Sequence, residues 1–298
     1  MKKLLLTLSF TLLFAGISQA DVIEKTYQFS DPEITTIDGY QKIVFKNTLP
    51  TGLTGEPMLP YRSVSLLLPP GHAAKEIQLI PGNEILLDGI YTIYPMQQSR
   101  PMSEGGSGIF TINEEVYQTD AAYPAQLHGE ITTQYLNGHA LAMCSFTPLK
   151  YNPVTGKVSY YTSVTVKITT VQDDKSEAAF QNLRTSPQIT KRLAGIAQNA
   201  DMMSAYPQTD SRSDDYDMLI ISPSTFAEGF EELVEFYAPR GIVAQIITTD
   251  EIYSSTPGQD NQEKIRNYII QQYQDNGIQH VTLGGDVEHI PYRGFYCT

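Results

Sequence analysis

Hydrophobic and polar positions follow two different rhythms along this chain. From Asp21 to Gln172, short apolar runs alternate with turns. The runs "KIVFKN" (42–47), "SVSLLLPPG" (63–71), "KEIQLIPGN" (75–83) and "ALAMCSFTPL" (140–149) predict strands. The clearest is "KVSYYTSVTVKITTV" (157–171), in which β-branched and aromatic residues alternate with polar ones. It follows "YNPVTGK" (151–157), whose Asn-Pro and Thr-Gly pairs favour a tight turn. Many short strands without an amphipathic helix between them predict an all-β domain over 21–172, a sandwich or barrel-like fold.

Residues 173–215 are polar ("DDKSE", "TSPQ", "PQTDSRSDD") and predict a linker, with one short helix around Ile189 to Met203. From Tyr216 the period changes again. "DMLIIS" predicts a buried strand, and "PSTFAEGFEELVEFYAPRG" a helix with Ser224 or Thr225 as N-cap and Gly241 past its end. Its apolar stripe is Phe226, Phe230, Leu233, Val234 and Tyr237. "IVAQIIT" (242–248) is a second strand. "NQEKIRNYIIQQYQDNG" (261–277) is a second helix, burying Ile265, Tyr268, Ile269 and Tyr273, and "HVTLGGD" is a third strand and its exit. Strand–helix alternation requires a parallel sheet with right-handed crossovers. At about 80 residues, against roughly 100–200 for an ordinary domain, the segment 216–298 is expected to be only part of an α/β domain.

The first 20 residues have the order of a secretory signal peptide: Lys2 and Lys3, an apolar core from Leu4 to Phe14, then Ser18 and Ala20 before the expected cleavage. The apolar run is short for a membrane span, so the reading is an exported chain without an integral membrane segment. The formal net charge is −13, which becomes −15 when Lys2 and Lys3 leave with the leader. That argues against nucleic acid or an anionic membrane as partner. Two cysteines in 298 residues do not make a disulfide framework, and the absence of tryptophan leaves 19 Tyr and 11 Phe to fill cores.

Few residues carry chemistry on their face. Cys297 lies eight residues after His289, and a thiolate beside an imidazole is a good nucleophile. Pro291 and Gly294 intervene, however, and nothing in the spacing brings the two side chains together; the plainer reading is a loop histidine and a small apolar residue. In "LGGDVEHIP", Asp286 falls at the carboxyl end of a parallel strand, where open α/β sheets bind ligands. Gly284 and Gly285 before it permit close approach of a backbone or substrate. The plainer alternative is a turn aspartate bonding its own backbone. No Gly-Lys-Ser/Thr follows, so the loop is not a phosphate loop. The five histidines (72, 128, 139, 280, 289) join no cluster of familiar metal-ligand spacing, and no cofactor is expected.

The α/β part resembles the opening of the gingipain family of cysteine peptidases. The matching runs are "YDMLIISPSTFAEGFEELVEFYAPRGIVAQIITTDEIY" and "IRNYIIQQYQDNGIQHVTLGGDVEHIPYRGFY". The β-rich part resembles that family's propeptide in "GEPMLPYRSVSLLLPPG" (55–71) and "PLKYNPVTGKVSYYTSVTVKI" (148–168). The resemblance implies a caspase-like α/β catalytic fold, latent under its own propeptide as intramolecular inhibitor and acting on protein or peptide substrates. The family's histidine stands in a His-Gly pair and its cysteine near the end of a later strand. In the α/β part neither motif occurs: Ile290 follows His289, and "FYCT" falls after the third strand. The dyad is therefore expected downstream of Thr298, with this chain inactive by itself. Calcium would belong to the full-length protein, since no ligand set is visible here. Cleavage is expected after Ala20 and at Arg212, with Arg184, Lys191 and Arg192 as weaker rivals. Two alternatives stand beside the peptidase: a transpeptidase of a surface-attachment system, and a non-catalytic exported binding module.

Overall fold

A computed structural model describes residues 21–99, 101, 103, 108–207 and 216–294. Ala20, Arg212 and Cys297 lie outside the described residues. The chain divides into two compact units: one of Met1–Gln181 with Arg192–Tyr206, the other of Asn182–Lys191 with Pro207–Thr298.

The first unit is built almost wholly of strands. In order these are β1 (Val22–Gln28), β2 (Glu33–Ile37), β3 (Tyr40–Val44), β4 (Leu49–Thr51), β5 (Leu59–Leu67), β6 (His72–Pro81) and β7 (Glu84–Leu86). A one-turn helix, α1 (Glu114–Tyr117), follows, and then β8 (Thr132–Leu136), β9 (His139–Phe146), β10 (Leu149–Asn152), β11 (Lys157–Tyr161) and β12 (Ser163–Gln172). They pair as open antiparallel sheets in the orders β1-β12-β6, β10-β11-β7 and β4-β5-β9-β8, with β2-β3 as a separate ribbon. Among the described residues no sheet closes into a barrel, so the layered alternative holds.

Strand β12 shows why. Val164, Val166, Ile168 and Thr170 are buried at every second position, which lays one face on the core. The stretch 157–171, expected as one strand, is two. Tyr160 and Tyr161 are both buried, breaking the period of two, and the chain turns at Thr162, whose amide donates to the Asn83 carbonyl (2.9 Å). The expected turn before β11 is present: Asn152 Oδ1 accepts from the amides of Val154 and Thr155, and Gly156 takes φ +67°. With no tryptophan, rings do the filling. Phe146 meets Tyr27 and Phe29 edge-on at 5.3 and 5.9 Å, and Phe45 meets Tyr160 at 5.2 Å. Each such side chain contributes about 1.5–3 kcal/mol on burial.

Residues 173–207, expected to be mostly linker, are folded. They form α2 (Asp174–Gln181), α3 (Pro187–Ile196) and a 3-10 turn, Ala200–Ala205, and bury Leu183, Ile189, Leu193, Ala197 and Tyr206. Asp173 caps α2, and Ser186 with Pro187 opens α3. The polar composition concealed these apolar contacts because they are thinly spaced.

The second unit has a parallel sheet in the order β14-β13-β15, from β13 (Met218–Ser222), β14 (Ala244–Thr248) and β15 (His280–Leu283). Central β13 is buried at all five positions, as a strand covered on both faces must be. Between β13 and β14 the chain is an irregular helix: α4 (Ser224–Ala227), a 3-10 turn, α5 (Glu231–Tyr237) and a second 3-10 turn ending at Arg240. Its N-cap is Pro223, not Ser224 or Thr225, and the Ser224 hydroxyl donates instead to Asp250 (3.2 Å). The expected stripe is only half-buried, with Phe226 exposed, because breaks on either side of Glu228–Phe230 prevent one continuous helical face. Gly241 ends the segment in the left-handed conformation, as expected. A short helix that was not anticipated, α6 (Thr249–Ser255), starts at a capping box between Thr248 and Glu251. Then α7 (Asn261–Asn276) ends at left-handed Gly277 and buries Ile265, with Tyr268, Ile269 and Tyr273 packed alongside.

Candidate functional site

In a sheet of order β14-β13-β15 the chain leaves β13 toward one edge and later returns to its other side. The crevice between the carboxyl ends of β13 and β15 is thus the topological switch point, where open α/β sheets bind ligands. A shallow depression of about 840 Å³ lies there. Thr225, Phe226 and Phe230 line it after β13, and Gly284 and Gly285 after β15. Glu228, Glu231, Glu232 and Glu235 make its rim acidic.

The three predicted loop residues take different parts. The Gly284 amide donates to the Ile221 carbonyl (2.7 Å), extending the β13–β15 pairing one step. A Cβ on Gly284 would stand 2.3 Å from Phe230 Cζ, so the close approach predicted here is made by an aromatic ring of the protein itself. Gly285 has φ +153°, and a Cβ there would lie 2.9 Å from that of His289. Asp286 is exposed and organises the turn. Its Oδ1 accepts from the Glu288 amide (3.0 Å) and lies 2.8 Å from His289 Nδ1, and its carbonyl accepts from the amides of His289 and Ile290. Asp286 does bond its own backbone, as the plainer reading had it, and also engages a side chain.

That partner, His289, was not foreseen in this role, although the Asp-x-x-His spacing across a tight turn could have suggested it. The imidazole stacks against Phe226 with ring centroids 4.7 Å apart. The hydrogen bond from His289, followed by that from the Glu288 amide, holds the Asp286 carboxyl below its ordinary range. The arrangement is an ionised carboxylate orienting an imidazole at a strand end. It can fix a tautomer and accept or deliver a proton, but hydrolysis also requires a nucleophile and an oxyanion site. Among the described residues no thiol joins the pair. The one described cysteine, Cys144 of β9, belongs to the other unit, and burial pushes its thiol up to about 11. Nor does any group of three or more His, Cys, Asp or Glu among the described residues have the geometry to hold a metal.

The charged candidates upstream are not all solvated. Arg184 is half-buried and bonds the carbonyls of Tyr273 and Gln274, while Lys191 and Arg192 lie within α3.

Comparison with known proteins agrees with this two-part organisation. The sequence model of the C25 propeptide (Propeptide_C25) matches residues 17–190, more than half of the chain, and that of Peptidase family C25 matches residues 211–296. Gingipain R2 of Porphyromonas gingivalis (strain ATCC BAA-308 / W83) is 22% identical over 242 residues, which is 80% of this chain and 32% of that protein. Two solved structures are similar. A complex of Porphyromonas gingivalis RgpB pro- and mature domains is 19% identical with a TM-score of 0.47, over 63% of this chain and 96% of that one. A structure concerning the zymogenic latency of gingipain K from the same organism is 17% identical with a TM-score of 0.44, over 54% and 97%. A propeptide followed by the start of a cysteine-peptidase domain is the class that the two family-model matches define. The chain belongs to the gingipain family, peptidase family C25, and spans about a third of the length of the curated relative it matches.

Proposed function

We propose that this chain is the amino-terminal portion of a secreted, gingipain-like cysteine endopeptidase precursor. The β unit is its propeptide, the signal peptide is removed after Ala20, and processing at Arg212 ends latency. The observation that carries this reading is the tandem order of the two family matches, propeptide over 17–190 and peptidase over 211–296, in one chain. Arg212 stands at the start of the second. In the mature enzyme a thiolate would attack the peptide carbonyl while an imidazole protonates the leaving amine, chemistry that calls for no cofactor. The residues that perform it are outside these 298, and Asp286 with Gly284 and Gly285 shapes the strand-end rim beside them. The 298-residue chain alone hydrolyses nothing.

The test is to extend the gene past the codon for Thr298, express the complete reading frame, and compare wild type with Arg212→Gln. Wild type is expected to gain thiol-dependent peptidase activity with a new amino terminus at residue 213, while the variant stays latent. A complete product without peptidase activity under any cut would refute the reading, and so would activity from the 298-residue chain that disappears in Cys297→Ala.

A further inference from the structure

The chain passes between its two units three times, at 181/182, 191/192 and 206/207. Only the last passage adjoins the segment 207–216 in which processing is proposed. Residues 182–191 therefore belong to the second unit although they precede the cut.

Their attachment to that unit has an anchor. Helix α7 has no basic residue in its last turn, so its sequence leaves the negative end of the helix dipole without a local cation. Arg184 supplies one from 89–90 positions away. Its Nη2 donates to the carbonyls of Tyr273 (3.3 Å) and Gln274 (2.5 Å), and its guanidinium carbon lies 5.8 Å from the Tyr273 ring centroid. Its Nη1 donates to the Leu183 carbonyl (3.1 Å), and Nε is shielded from solvent with no partner. Leu183 and Ile189, on either side, are each 4% exposed. Ser186 and Pro187 then turn the chain into α3, the Ser186 hydroxyl accepting from the Ile189 amide (3.1 Å). A guanidinium whose Nη2 is shared by two helix-terminal carbonyls while its Nη1 holds the strap's own Leu183 carbonyl, flanked by buried apolar side chains, has the features of a docked strap.

We propose that residues 182–191 are a strap integral to the α/β unit, anchored by Arg184 on the carboxyl end of α7, and that they retain the amino-terminal piece after the chain is cut within 207–216. The inference takes from the preceding section the position of the cut. Cleavage at the junction then frees a covalent bond without freeing the propeptide, and release waits on a second event: undocking of the strap or its own proteolysis.

To test it, residues 208–215 of the full chain are replaced by the recognition sequence of a site-specific protease. The chain is cut under native conditions, and separation of the pieces after dilution is followed by gel filtration. The wild-type pieces are expected to co-elute. Arg184→Ala should part at least about tenfold faster, and Arg184→Lys, which keeps the charge but loses the second nitrogen that bonds Leu183, should fall between. Amide exchange of α7 in the uncut variants establishes that the unit is folded. If Arg184→Ala does not fold, exchange at 182–191 in the cut wild-type protein decides: retained protection supports the strap, and coil-like exchange overturns it. Immediate separation of the wild-type pieces overturns it, as does a wild-type rate in a folded Arg184→Ala. Latency is scored separately, by peptidase assay of the extended protein. Pieces that stay together without blocking activity would leave the strap intact and refute the propeptide reading.

Discussion

Replacing Asn199 by leucine should destabilise the β unit by about 3 kcal/mol. Strand β5 pairs with β9 along one edge, but on its other edge β4 reaches only from Leu59 to Tyr61. The next outward-facing backbone groups, at Ser63, Ser65 and Leu67, are met by Gln198 and Asn199, mostly through their side-chain amides. Gln198 Nε2 donates to the Ser63 carbonyl (3.0 Å), Gln198 Oε1 accepts from the Ser65 amide (3.1 Å), and the Gln198 amide donates to the Ser65 carbonyl (2.9 Å). Asn199 accepts from the Leu67 amide (2.7 Å) and donates to its carbonyl (3.0 Å). Two side-chain amides and the Gln198 backbone amide thus act as the missing edge strand. Leucine removes two buried bonds of about 1 kcal/mol each and leaves a backbone donor and acceptor without partners. Partial relaxation brings the total to about 3 kcal/mol. For a unit of this size the midpoint of thermal unfolding should fall by about 6–12 °C. The Leu67 amide should exchange about a hundredfold faster, since 1.4 kcal/mol is a factor of ten. Asn199→Asp keeps the acceptor but sets a carboxylate against the Leu67 carbonyl. That raises the carboxyl's folded pKa, so the deficit should shrink as pH falls and the protonated acid regains a donor. Exchange at Leu67 within twofold of wild type in Asn199→Leu would refute the edge-strand reasoning.

Two further predictions concern other parts of the chain. His139 is 3% exposed, stacks on Tyr206 at 4.5 Å, and has its pKa lowered by burial despite backbone bonds to Leu136 and Asn137. The folded state thus favours the neutral ring and the unfolded state takes up the proton first; stability should be full above about pH 6.5 and decline below it. A urea-midpoint series in which His139→Gln shows the same decline would exclude His139 as its source. In the other unit, Gly284→Ala places a methyl 2.3 Å from Phe230 Cζ and should cost about 1–3 kcal/mol, most of it recovered in combination with Phe230→Leu. Additive costs in the double-variant cycle would count against that contact as the reason for glycine.

The legible parts of this fold were those encoded locally. The five-residue run of β13, the apolar face of α7, the glycines that end the two helical segments and the Asn152 turn each depend on neighbours within a few positions. What escaped was encoded at a distance. The split between β11 and β12 depends on Asn83, 79 positions before Thr162, and the bonds from Gln198 and Asn199 to β5 span 132 to 135 positions. Such contacts have no period to betray them. Helix α6 is encoded locally as well, because Thr248-Thr249-Asp250-Glu251 is a capping box by sequence alone. At the candidate site, residue type and strand-end position identified Gly284 to Asp286, whereas the demand for glycine came from Phe230, 54 positions earlier.

The same distance effect explains why residues 173–207 read as a linker, and it bears on where the precursor is processed. A stretch rich in Ser, Asn, Gln and Asp is normally polar because it faces water. Here several of those side chains replace backbone: Asn199 and Gln198 along β5, Ser186 at the start of α3, Asp173 at the start of α2. Susceptibility to proteolysis follows from burial and backbone bonding rather than from composition. By that criterion Arg184 is engaged on α7, and Lys191 and Arg192 lie inside α3, where the bonds a protease must straighten are tied into a helix. Three of the four basic candidates are thereby protected in the folded chain, which concentrates the processing proposal on Arg212. A brief trypsin digest of the native chain should accordingly yield a first amino terminus at residue 213. First cuts after Arg184, Lys191 or Arg192 would show that the 182–206 segment opens more readily than its hydrogen bonds imply.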